Sequence, residues 1–514
     1  MTVFVLVSGP FTGGWVWEET VARLRAAGSQ AYPVTLPGTG DRRVDTGIDL
    51  ETHIRDLVRL IDGIPLSRVV LVGHGYGLHP VLGAADRRPE RVARIVSLDT
   101  GLPEDGEAAA RSVPDPEVRT RLAGGDGAHG AATDGAGTWI APPEAGGWSR
   151  WGSTEGVPAQ ALGRLDRLAA PQPVRTLTQP LRLTGAAAAL PVTGVLCNAN
   201  GSSVDLVQML VDSGPPRFRA LADDRIRFID LGTGHWPMLS APEELAEVLR
   251  RAAAGEGRRV TAPEGSDERP THLLPFLLDV PEVPRERRGR VDLHLPGGLG
   301  SPTAGGGPRP AVVFVHGGPV APEQRPTPRD TPFLLGYARY AASLGAIGVT
   351  LDHRLHGIAD LPLAADDLAE AVALVRADPR VDGERIALWF FSVGGLLAAD
   401  WLAAPPPWLR CLAASYPALA PLPGWGGVES RFRPVDLVGT AGGPPIVLTR
   451  AGREHPAFAA TVEEFLAAAG KSGAAVETVD VPHGRHSFEL VDPTEESRAC
   501  VERAMRSVLG HLRD

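Results

Sequence analysis

Short apolar runs rich in β-branched residues alternate along this chain with longer amphipathic stretches, and this alternation restricts the possible folds more than any other feature. The first half contains strand candidates such as VFVLVSG at 3–9 and RVVLVGH at 68–74, and THIRDLVRLIDG at 52–63 has the periodicity of a helix. Alternation of this kind is typical of a mostly parallel sheet flanked by helices. The sequence therefore predicts a fold of the α/β class.

The alternation runs through the chain twice, which indicates two domains. With 514 residues the chain is too long for one ordinary hydrophobic core. A polar segment containing Gly and Pro separates the two series of strand candidates. We predict a first domain over 1–254, a linker over 255–271 and a second domain over 272–514. Near 101–150 the pattern gives way to Gly, Ala, Pro and charged residues, which is typical of a lid or a mobile segment.

Composition argues against several functional classes. The formal charge of −10 disfavours nucleic acid and anionic membranes as partners, and no uninterrupted apolar run predicts a membrane span. The N-terminal residues lack a basic leader, so we predict no signal peptide. Cys197, Cys411 and Cys500 are scattered without metal-ligand spacing, which favours reduced thiols in the cytoplasm. We expect a cytoplasmic protein that acts on a small molecule without a metal, and the oligomeric state stays open.

Two motifs of the second half predict a nucleophile and its surroundings. RIALWFFSVGG predicts a strand that ends in a tight turn, where the hydroxyl of Ser392 stands clear of the sheet. Phe390 occupies the position of the first glycine in the usual G-x-S-x-G motif. HGG follows another strand candidate, and we predict that the backbone N–H groups of Gly317, Gly318 and Val393 form an oxyanion hole.

Two late strand ends of the second half supply candidates for an acid and a base. Glu454 stands in RAGREHP and His486 in VPHGRHSFE. A carboxylate can orient an imidazole, which then takes the proton of a serine hydroxyl. His483 is the alternative base, but His486 is preferred because it stands in H-S-F, and Glu454 is alternatively an ordinary acid at a helix start. We expect structural or pocket-lining roles for His353 and His356.

Through HGGP, WFFSVGG, RAGREHP and the H-S-F motif, the residues from about 285 to 514 resemble the dienelactone-hydrolase and acetyl-esterase-like α/β hydrolases. The resemblance implies an α/β-hydrolase fold and hydrolysis of an ester or lactone without a cofactor. Some members of that group use a cysteine nucleophile, whereas this chain has serine. Peptidases, thioesterases and acyltransferases use the same three residue types, and the sequence does not separate them from esterases.

The first half resembles the α/β hydrolases related to plant methyl-ester esterases and hydroxynitrile lyases, through VFVLVSGPFTGGWVW, LVGHGYG, SLDTGLPEDG and LGTGHWPMLS. The resemblance implies a second α/β-hydrolase fold and thus two such domains in tandem. Three catalytic positions are altered, however. Gly75 stands at the nucleophile, Pro10 has no N–H to offer as an oxyanion donor, and Asn198 or Asn200 stands where the acid often follows a late strand. His235 is retained.

Loss of the nucleophile lowers kcat by a factor on the order of 10⁶, so we exclude a serine esterase mechanism for the first domain. One interpretation is a domain that supports folding, dimerises or holds substrate. The other is a non-hydrolytic pocket in which His235, His74, Tyr76 or Asp99 transfers protons in an elimination, dehydration or cyclisation. Asp99 ends a strand candidate and could orient His235. Four aromatic residues are candidates for the pocket walls: Phe11, Trp15, Trp17 and Trp236.

Three hypotheses for the whole chain follow. The leading one is a cofactor-independent hydrolase of a carboxylic ester or lactone that is active in the second domain. The second is a lyase, cyclase or dehydratase of secondary metabolism that uses the pocket of the first domain. The third treats the chain as a pseudoenzyme that binds a ligand.

Overall fold

In the computed structural model the chain divides into two compact units. The first consists mainly of Met1–Gln208 and Ala220–Thr261, and the second mainly of Ala262–Leu422 and Val428–Asp514. The structure describes residues 2–42, 47–65, 68–123, 139–213, 216–262, 271–297, 307–422, 425, 428–439 and 443–513. Parts of the predicted lid (124–138) and of the predicted linker (263–270) lie outside these described residues. The domain boundaries that we drew from the sequence stay a prediction.

The first unit is built on a parallel sheet of six strands, with a short antiparallel pair apart from it. The strands in chain order are β1 (Val3–Val7), β2 (Gln30–Val34), β3 (Val69–His74), β4 (Val92–Leu98), β5 (Trp139–Ile140), β6 (Gln172–Pro173), β7 (Val192–Cys197) and β8 (Ile226–Leu231). The main sheet has the order β2-β1-β3-β4-β7-β8, and β5 pairs with β6. Every residue of β1 and β3 is buried, as expected for parallel strands that are covered on both faces.

Nine helices occur among the described residues of the first half of the chain. They are α1 (Glu18–Ala26), α2 (Leu50–Gly63), α3 (Leu78–Arg87), α4 (Pro116–Ala123), α5 (Ala159–Leu168), α6 (Val174–Thr178), α7 (Val204–Ser213), α8 (Pro237–Ser240) and α9 (Pro242–Ala253). α2 covers the helical pattern seen in the sequence, and it begins where the side chain of Asp49 accepts a hydrogen bond from the N–H of Thr52. After α9, within the predicted linker, Arg258 pairs with Phe228 of β8.

The second unit is built on a sheet of eight strands. They are β9 (Arg285–Arg288), β10 (Val291–His294), β11 (Arg309–Val315), β12 (Ile347–Leu351), β13 (Val381–Phe391), β14 (Leu409–Ser415), β15 (Ile446–Arg453) and β16 (Val476–Arg485). The order is β16-β15-β14-β13-β11-β12-β10-β9, in which β11 to β16 are parallel and β9 and β10 are antiparallel. The sequence reading missed β9, because its residues RERR have no apolar alternation, a composition that suits an edge strand.

The helices of the second unit complete the predicted α/β class, which the structure confirms. They are α10 (Pro332–Ser343), α11 (Leu361–Arg376), α12 (Ala399–Ala403), α13 (Pro434–Leu437), α14 (Pro456–Ser472), α15 (Phe488–Val491) and α16 (Glu495–His511). Helices pack against the sheet, for example α10 on β12 and α16 on β16. Across the described ranges, no helix combines the length and the apolar character needed to cross a membrane.

In each sheet the strand order reverses at one place. In the first sheet the chain runs from β1 to β2 on one side and continues with β3 on the other side of β1. In the second sheet β11 is flanked in the same way by β12 and β13. Ligands of open α/β sheets bind at such reversals, outside the carboxyl ends of the strands. The residues directly after β1, β3, β11 and β13 are therefore the first place to look for a site.

Candidate active site

Ser392 directly follows β13 and stands on a sharp strand-to-helix turn, called the elbow below. Its φ of +53° is in the left-handed region, which costs a non-glycine residue on the order of 1–3 kcal/mol. The glycines that follow Ser392 are needed because a side chain at either position would collide with neighbouring backbone. A Cβ at Gly394 would lie 2.5 Å from the carbonyl oxygen of His316, and one at Gly395 would lie 2.6 Å from that of Ala418. The elbow therefore holds the serine hydroxyl in a strained, closely supported position.

A chain of two hydrogen bonds joins Ser392, His486 and Glu454. The Oγ of Ser392 lies 2.8 Å from Nε2 of His486, and Nδ1 of His486 lies 2.9 Å from Oε2 of Glu454. Because a carboxylate can only accept, Nδ1 is the donor, and Nε2 is left to accept from the serine hydroxyl. The side chains of His486 and Glu454 are 9% and 5% exposed, so water competes little with these bonds.

Sheet topology explains why residues so distant in sequence meet. Glu454 directly follows β15, and His486 directly follows β16, its parallel neighbour. The two strands pair regularly up to Ala451 and Val481, and after a shift in register their last pair is Arg453 and Arg485. Since the carboxyl ends of parallel strands share one edge of a sheet, both side chains reach the edge on which Ser392 stands.

The predicted oxyanion donors lie at the same edge. A Cβ at Gly317 would lie 2.9 Å from Cβ of Ser392 and 3.5 Å from its Oγ, so the backbone of the HGG loop runs directly against the serine. Gly318 packs beside Leu355, since a Cβ there would lie 3.0 Å from Cδ2 of that leucine. Val393 follows Ser392 in the elbow and is buried. The role of these three N–H groups as oxyanion donors stays a prediction.

The other histidines considered in the sequence do not take part in this chain of bonds. His353 stacks on His316 with ring centroids 3.6 Å apart and donates from Nε2 to the carbonyl oxygen of His316. Burial lowers the pKa of His316 to about 4, which leaves this ring neutral. His356 donates to the carbonyl oxygen of Val320, and His483 is 75% exposed beside Glu496.

Sequence reasoning missed the side chains that surround His486. The rings of Tyr416 and Phe458 lie 4.8 and 4.9 Å from the imidazole, centroid to centroid. Glu489 is buried three residues after His486, and it accepts a hydrogen bond of 2.6 Å from the hydroxyl of Tyr337. Burial raises the pKa of Glu489 to about 7, although the bond from Tyr337 works in the opposite direction. Only Glu489 had a local signal, because it belongs to the HSFE motif itself.

A cavity of about 390 Å³ opens beside the acid of this group. Its lining includes Glu454, Tyr416 and Val462, and its polar side carries Arg450 and Asp480, which form an ion pair of 2.7 Å. Glu454 is therefore bordered by open space as well as by His486.

The first unit has the same kind of turn without a nucleophile. Gly75 directly follows β3 and has a φ of +50°. A Cβ at Gly75 would lie 3.9 Å from Nε2 of His235, 3.9 Å from Cδ of Pro10 and 3.7 Å from Cα of Gly9, which are ordinary van der Waals distances. Space for a side chain therefore remains at this position, next to the histidine.

His235 is paired with Asp99, as the sequence suggested. Asp99 directly follows β4, and its Oδ2 lies 2.7 Å from Nδ1 of His235. The carboxylate also accepts hydrogen bonds from Nδ2 of Asn200 (2.7 Å), Oγ of Ser202 (3.0 Å) and the N–H of Cys197 (3.1 Å). Burial opposes ionisation of Asp99, but these hydrogen bonds, led by that from His235, keep its pKa below the ordinary value.

His74 and Tyr76, the other candidates for this pocket, are held away from such a role. His74 donates from Nε2 to the backbone carbonyl of His235 over 2.8 Å, and burial lowers its pKa to about 3. The hydroxyl of Tyr76 lies 2.7 Å from Nδ1 of His53, and burial raises its pKa. Both residues therefore act as neutral supports of the turn.

The aromatic walls differ in part from the prediction. Trp236 packs on His235 with centroids 5.1 Å apart, and Phe11 lies 6.3 Å from Trp148 and 4.7 Å from Trp151. Among the described residues, neither Trp15 nor Trp17 has a ring contact with this aromatic cluster, and Trp15 lies under the guanidinium of Arg164. Sequence reasoning missed Trp148 and Trp151 because they stand in and next to the stretch without a regular pattern.

Comparisons with known proteins gave matches to about half of this chain. The sequence profile of the Alpha/beta hydrolase family matches residues 4–248. A carbendazim hydrolyzing esterase of Nocardioides sp. (strain SG-4G) is 33% identical over 268 residues, which are 48% of this chain and 98% of that protein. Esterase PIR7B of Oryza sativa subsp. japonica is 36% identical over 124 residues, which are 23% of this chain and 46% of that protein. Among solved structures, an extracellular alpha/beta-hydrolase from a Paenibacillus species is 21% identical with a TM-score of 0.39, covering 49% of this chain and 99% of its own.

Proposed function

We propose that this chain, which belongs to the alpha/beta hydrolase family, is a cofactor-independent serine hydrolase that cleaves a carboxylic ester or lactone in its second unit. Ser392 is the nucleophile of this proposal, His486 the base and Glu454 the acid. The observation that carries it is the pair of hydrogen bonds, 2.8 and 2.9 Å long, that joins these three side chains. The substrate is a small molecule that reaches the edge of the sheet at the elbow.

The proposed mechanism uses a covalent acyl-enzyme. Oγ of Ser392 attacks the carbonyl carbon while Nε2 of His486 takes the hydroxyl proton, and Glu454 stabilises the imidazolium. The C–O bond of the ester then breaks, and the leaving alcohol takes the proton from His486. Water attacks the acyl group on Ser392 with His486 again as the base, which releases the acid and restores the hydroxyl.

Charge on the carbonyl oxygen must be stabilised during both steps. The N–H groups of Gly317, Gly318 and Val393 are the proposed donors, and removing one such donor typically costs a factor of about 10²–10³ in kcat. The close contact between Gly317 and Ser392 supports this assignment, because it brings the HGG backbone to the atom at which the tetrahedral intermediate forms.

The substrate of the relative is not carried over to this chain. The esterase of Nocardioides is named for carbendazim, but the family profile matches residues 4–248, where Gly75 offers no nucleophile. We carry over the reaction class alone and assign it to the second unit.

The proposal also includes a cytoplasmic location, because Cys197, Cys411 and Cys500 are buried, unpaired thiols.

Hydrolysis of p-nitrophenyl acetate by the wild type and by Ser392→Ala tests the proposal. Ser343→Ala is the matched control, since Ser343 is an exposed serine in α10 whose hydroxyl bonds only locally to the carbonyl of Tyr340. We expect Ser392→Ala to lose activity by a factor of up to about 10⁶, down to the uncatalysed background, and Ser343→Ala to keep the wild-type rate. A folded Ser392→Ala protein that hydrolyses the ester as fast as the wild type would overturn the assignment.

A further inference from the structure

The histidine–carboxylate pair of the first unit is built as tightly as that of the second. Nδ1 of His235 lies 2.7 Å from Asp99, against 2.9 Å between His486 and Glu454. The two imidazoles are also similarly accessible, with side chains 10% and 9% exposed. A pair kept only for packing would not need this access to the space at the turn.

The imidazole of His235 is set up to take a proton. Because Nδ1 donates to Asp99, Nε2 is an acceptor, and no described residue forms a hydrogen bond with it. Nε2 faces the position where a Cβ at Gly75 would lie, 3.9 Å away. The acceptor therefore points into the space that a nucleophile would otherwise occupy.

Asp99 is held as a charged partner by more than His235. Its two oxygens accept hydrogen bonds from Asn200, Ser202 and the N–H of Cys197, and Oδ1 of Asn200 accepts in turn from the N–H of Ser153. A carboxylate fixed in this way stabilises the imidazolium that forms when His235 takes a proton.

The same turn is poor at stabilising an oxyanion. Pro10 has no N–H, and the N–H of Phe11 already donates to Oε1 of Gln172 over 3.3 Å. A reaction that develops negative charge on a carbonyl oxygen would therefore lack two hydrogen-bond donors at this turn. The site is better suited to a substrate whose proton is acidic by itself and whose negative charge passes to a leaving group.

We propose that the first unit holds a second active site, in which His235 acts without any covalent intermediate as the general base on a carbon acid. Nε2 takes a proton from carbon, the electron pair of that C–H bond forms a multiple bond, and the bond to a leaving group on the neighbouring atom breaks. The leaving group keeps the electron pair of its own broken bond and takes up the proton from the imidazolium. The reaction is an elimination that needs no oxidant, reductant or cofactor.

Aromatic side chains hold the imidazole of His235 from the core side. Trp236 packs on His235 and also lies 5.4 Å from Trp148, which in turn contacts Phe11. These three rings are 1–2% exposed, so they fix the orientation of the imidazole. Because the charge of Asp99 is already used by its own hydrogen bonds, the site offers a substrate one base.

Ring opening of 5-nitrobenzisoxazole tests the base directly, because this planar probe loses a C–H proton while its N–O bond breaks. The assay starts from Ser392→Ala protein that also carries His486→Ala, which removes the proposed nucleophile and base of the second unit and keeps the two proposals separate. We expect catalysis above solution, reduced about 100-fold by the added His235→Ala and reduced by Asp99→Asn as well, whereas the added His483→Ala changes nothing. Equal rates with and without His235→Ala, in proteins with the same circular dichroism and melting temperature, would overturn the proposal.

Gly75→Ser provides a second, gain-of-function test in the same Ser392→Ala, His486→Ala background. A side chain fits at ordinary contact distances, and Ser392 shows that serine accepts the required φ, +53° against +50°. We expect a fluorophosphonate to form an adduct on residue 75 that disappears when His235→Ala is added. An adduct of equal yield with and without His235→Ala would contradict His235 as the base at this position.

Discussion

Asp99 and Tyr416 occupy corresponding positions in their two sheets, but they contact the neighbouring histidine in different ways. Each directly follows the strand beside the one that carries the elbow, β4 beside β3 and β14 beside β13, and each has a positive φ, 50° and 38°. Asp99 accepts a hydrogen bond from His235, whereas the ring of Tyr416 packs against His486 with centroids 4.8 Å apart. The acid therefore comes from different strands in the two units.

The strand that supplies the acid of the second unit has a counterpart in the first. Glu454 follows β15, the second strand beyond β13, and the second strand beyond β3 is β7, which is followed by Asn198. Asn200, from the same turn, hydrogen-bonds Asp99 and lies 3.4 Å from Nδ1 of His235. Asn198 thus stands at the position that corresponds to Glu454, and Asn200 of the same turn positions Asp99.

Glu454→Gln tests the acid of the second unit. The amide keeps the shape but can no longer select the tautomer of His486 or stabilise the imidazolium, so we expect kcat for ester hydrolysis to fall by a factor of up to about 10⁴ with little change in KM. Glu496→Gln is the control, because Glu496 faces the exposed His483. A Glu454→Gln enzyme with the kcat of the wild type would mean that this carboxylate is only structural.

Gly317→Ala tests the contact between the HGG loop and the elbow. The new Cβ would lie 2.9 Å from Cβ of Ser392 and 3.0 Å from the carbonyl oxygen of Phe391, so the loop has to move away from the serine. We expect kcat to fall by about 10²–10³ because oxyanion donors move out of reach.

A matched glycine replacement separates this effect from a general loss of stability. Gly470 lies in α14 with nothing within 4 Å of an added Cβ, so Gly470→Ala should keep full activity and gain up to about 1 kcal/mol of stability. Steady-state kinetics and melting temperatures of both variants check the pair. Unchanged kcat in Gly317→Ala would show that the loop does not support the reaction.

Glu489 gives the second unit a pH-dependent stability. Burial raises the pKa of this carboxyl from 4.5 to about 7, so between these pH values the unfolded chain gives up a proton that the folded chain keeps. The contribution of Glu489 to stability is therefore complete below pH 4.5 and is lost as the pH rises to about 7, by about 3 kcal/mol in total.

Glu489→Gln should remove most of this decline, since the amide stays neutral and can still accept from Tyr337. Urea unfolding at several pH values between 4.5 and 7 measures the free energy of unfolding. Glu495→Gln serves as the control, because its side chain is 92% exposed. The difference in free energy of unfolding between the wild type and Glu489→Gln isolates this group, because buried histidines such as His316 act equally on both proteins. A difference that grows in favour of the wild type as the pH rises over this range would contradict the sign.

The sequence predicts the strands of both sheets well, because buried parallel strands leave runs of Val, Ile and Leu bounded by turns. It also predicts the meeting of Ser392, His486 and Glu454, since residues after parallel strands share one edge of the sheet. Edge strand β9 leaves no such run, as its charged residues face solvent and buried Asp292.

Other parts of the two sites depend on contacts through space. Nothing local to Trp148 or Trp151 shows that they pack with Phe11, and Tyr337 lies 152 residues before Glu489. Whether Asp99 or an asparagine of the turn after β7 pairs with His235 depends on which side chain lies close enough to the imidazole. These distances follow from strand spacing and backbone conformation, which the pattern of residue types does not contain.

The intact mass of the wild-type protein after treatment with a fluorophosphonate, compared with that of Ser392→Ala, tests the central claim most directly. The geometry of Ser392, His486 and Glu454 predicts one adduct per wild-type chain, located at Ser392 by peptide mapping, and none in the variant. An unmodified wild-type protein that is fully folded, or an adduct of equal yield in Ser392→Ala, would contradict the assignment of the nucleophile.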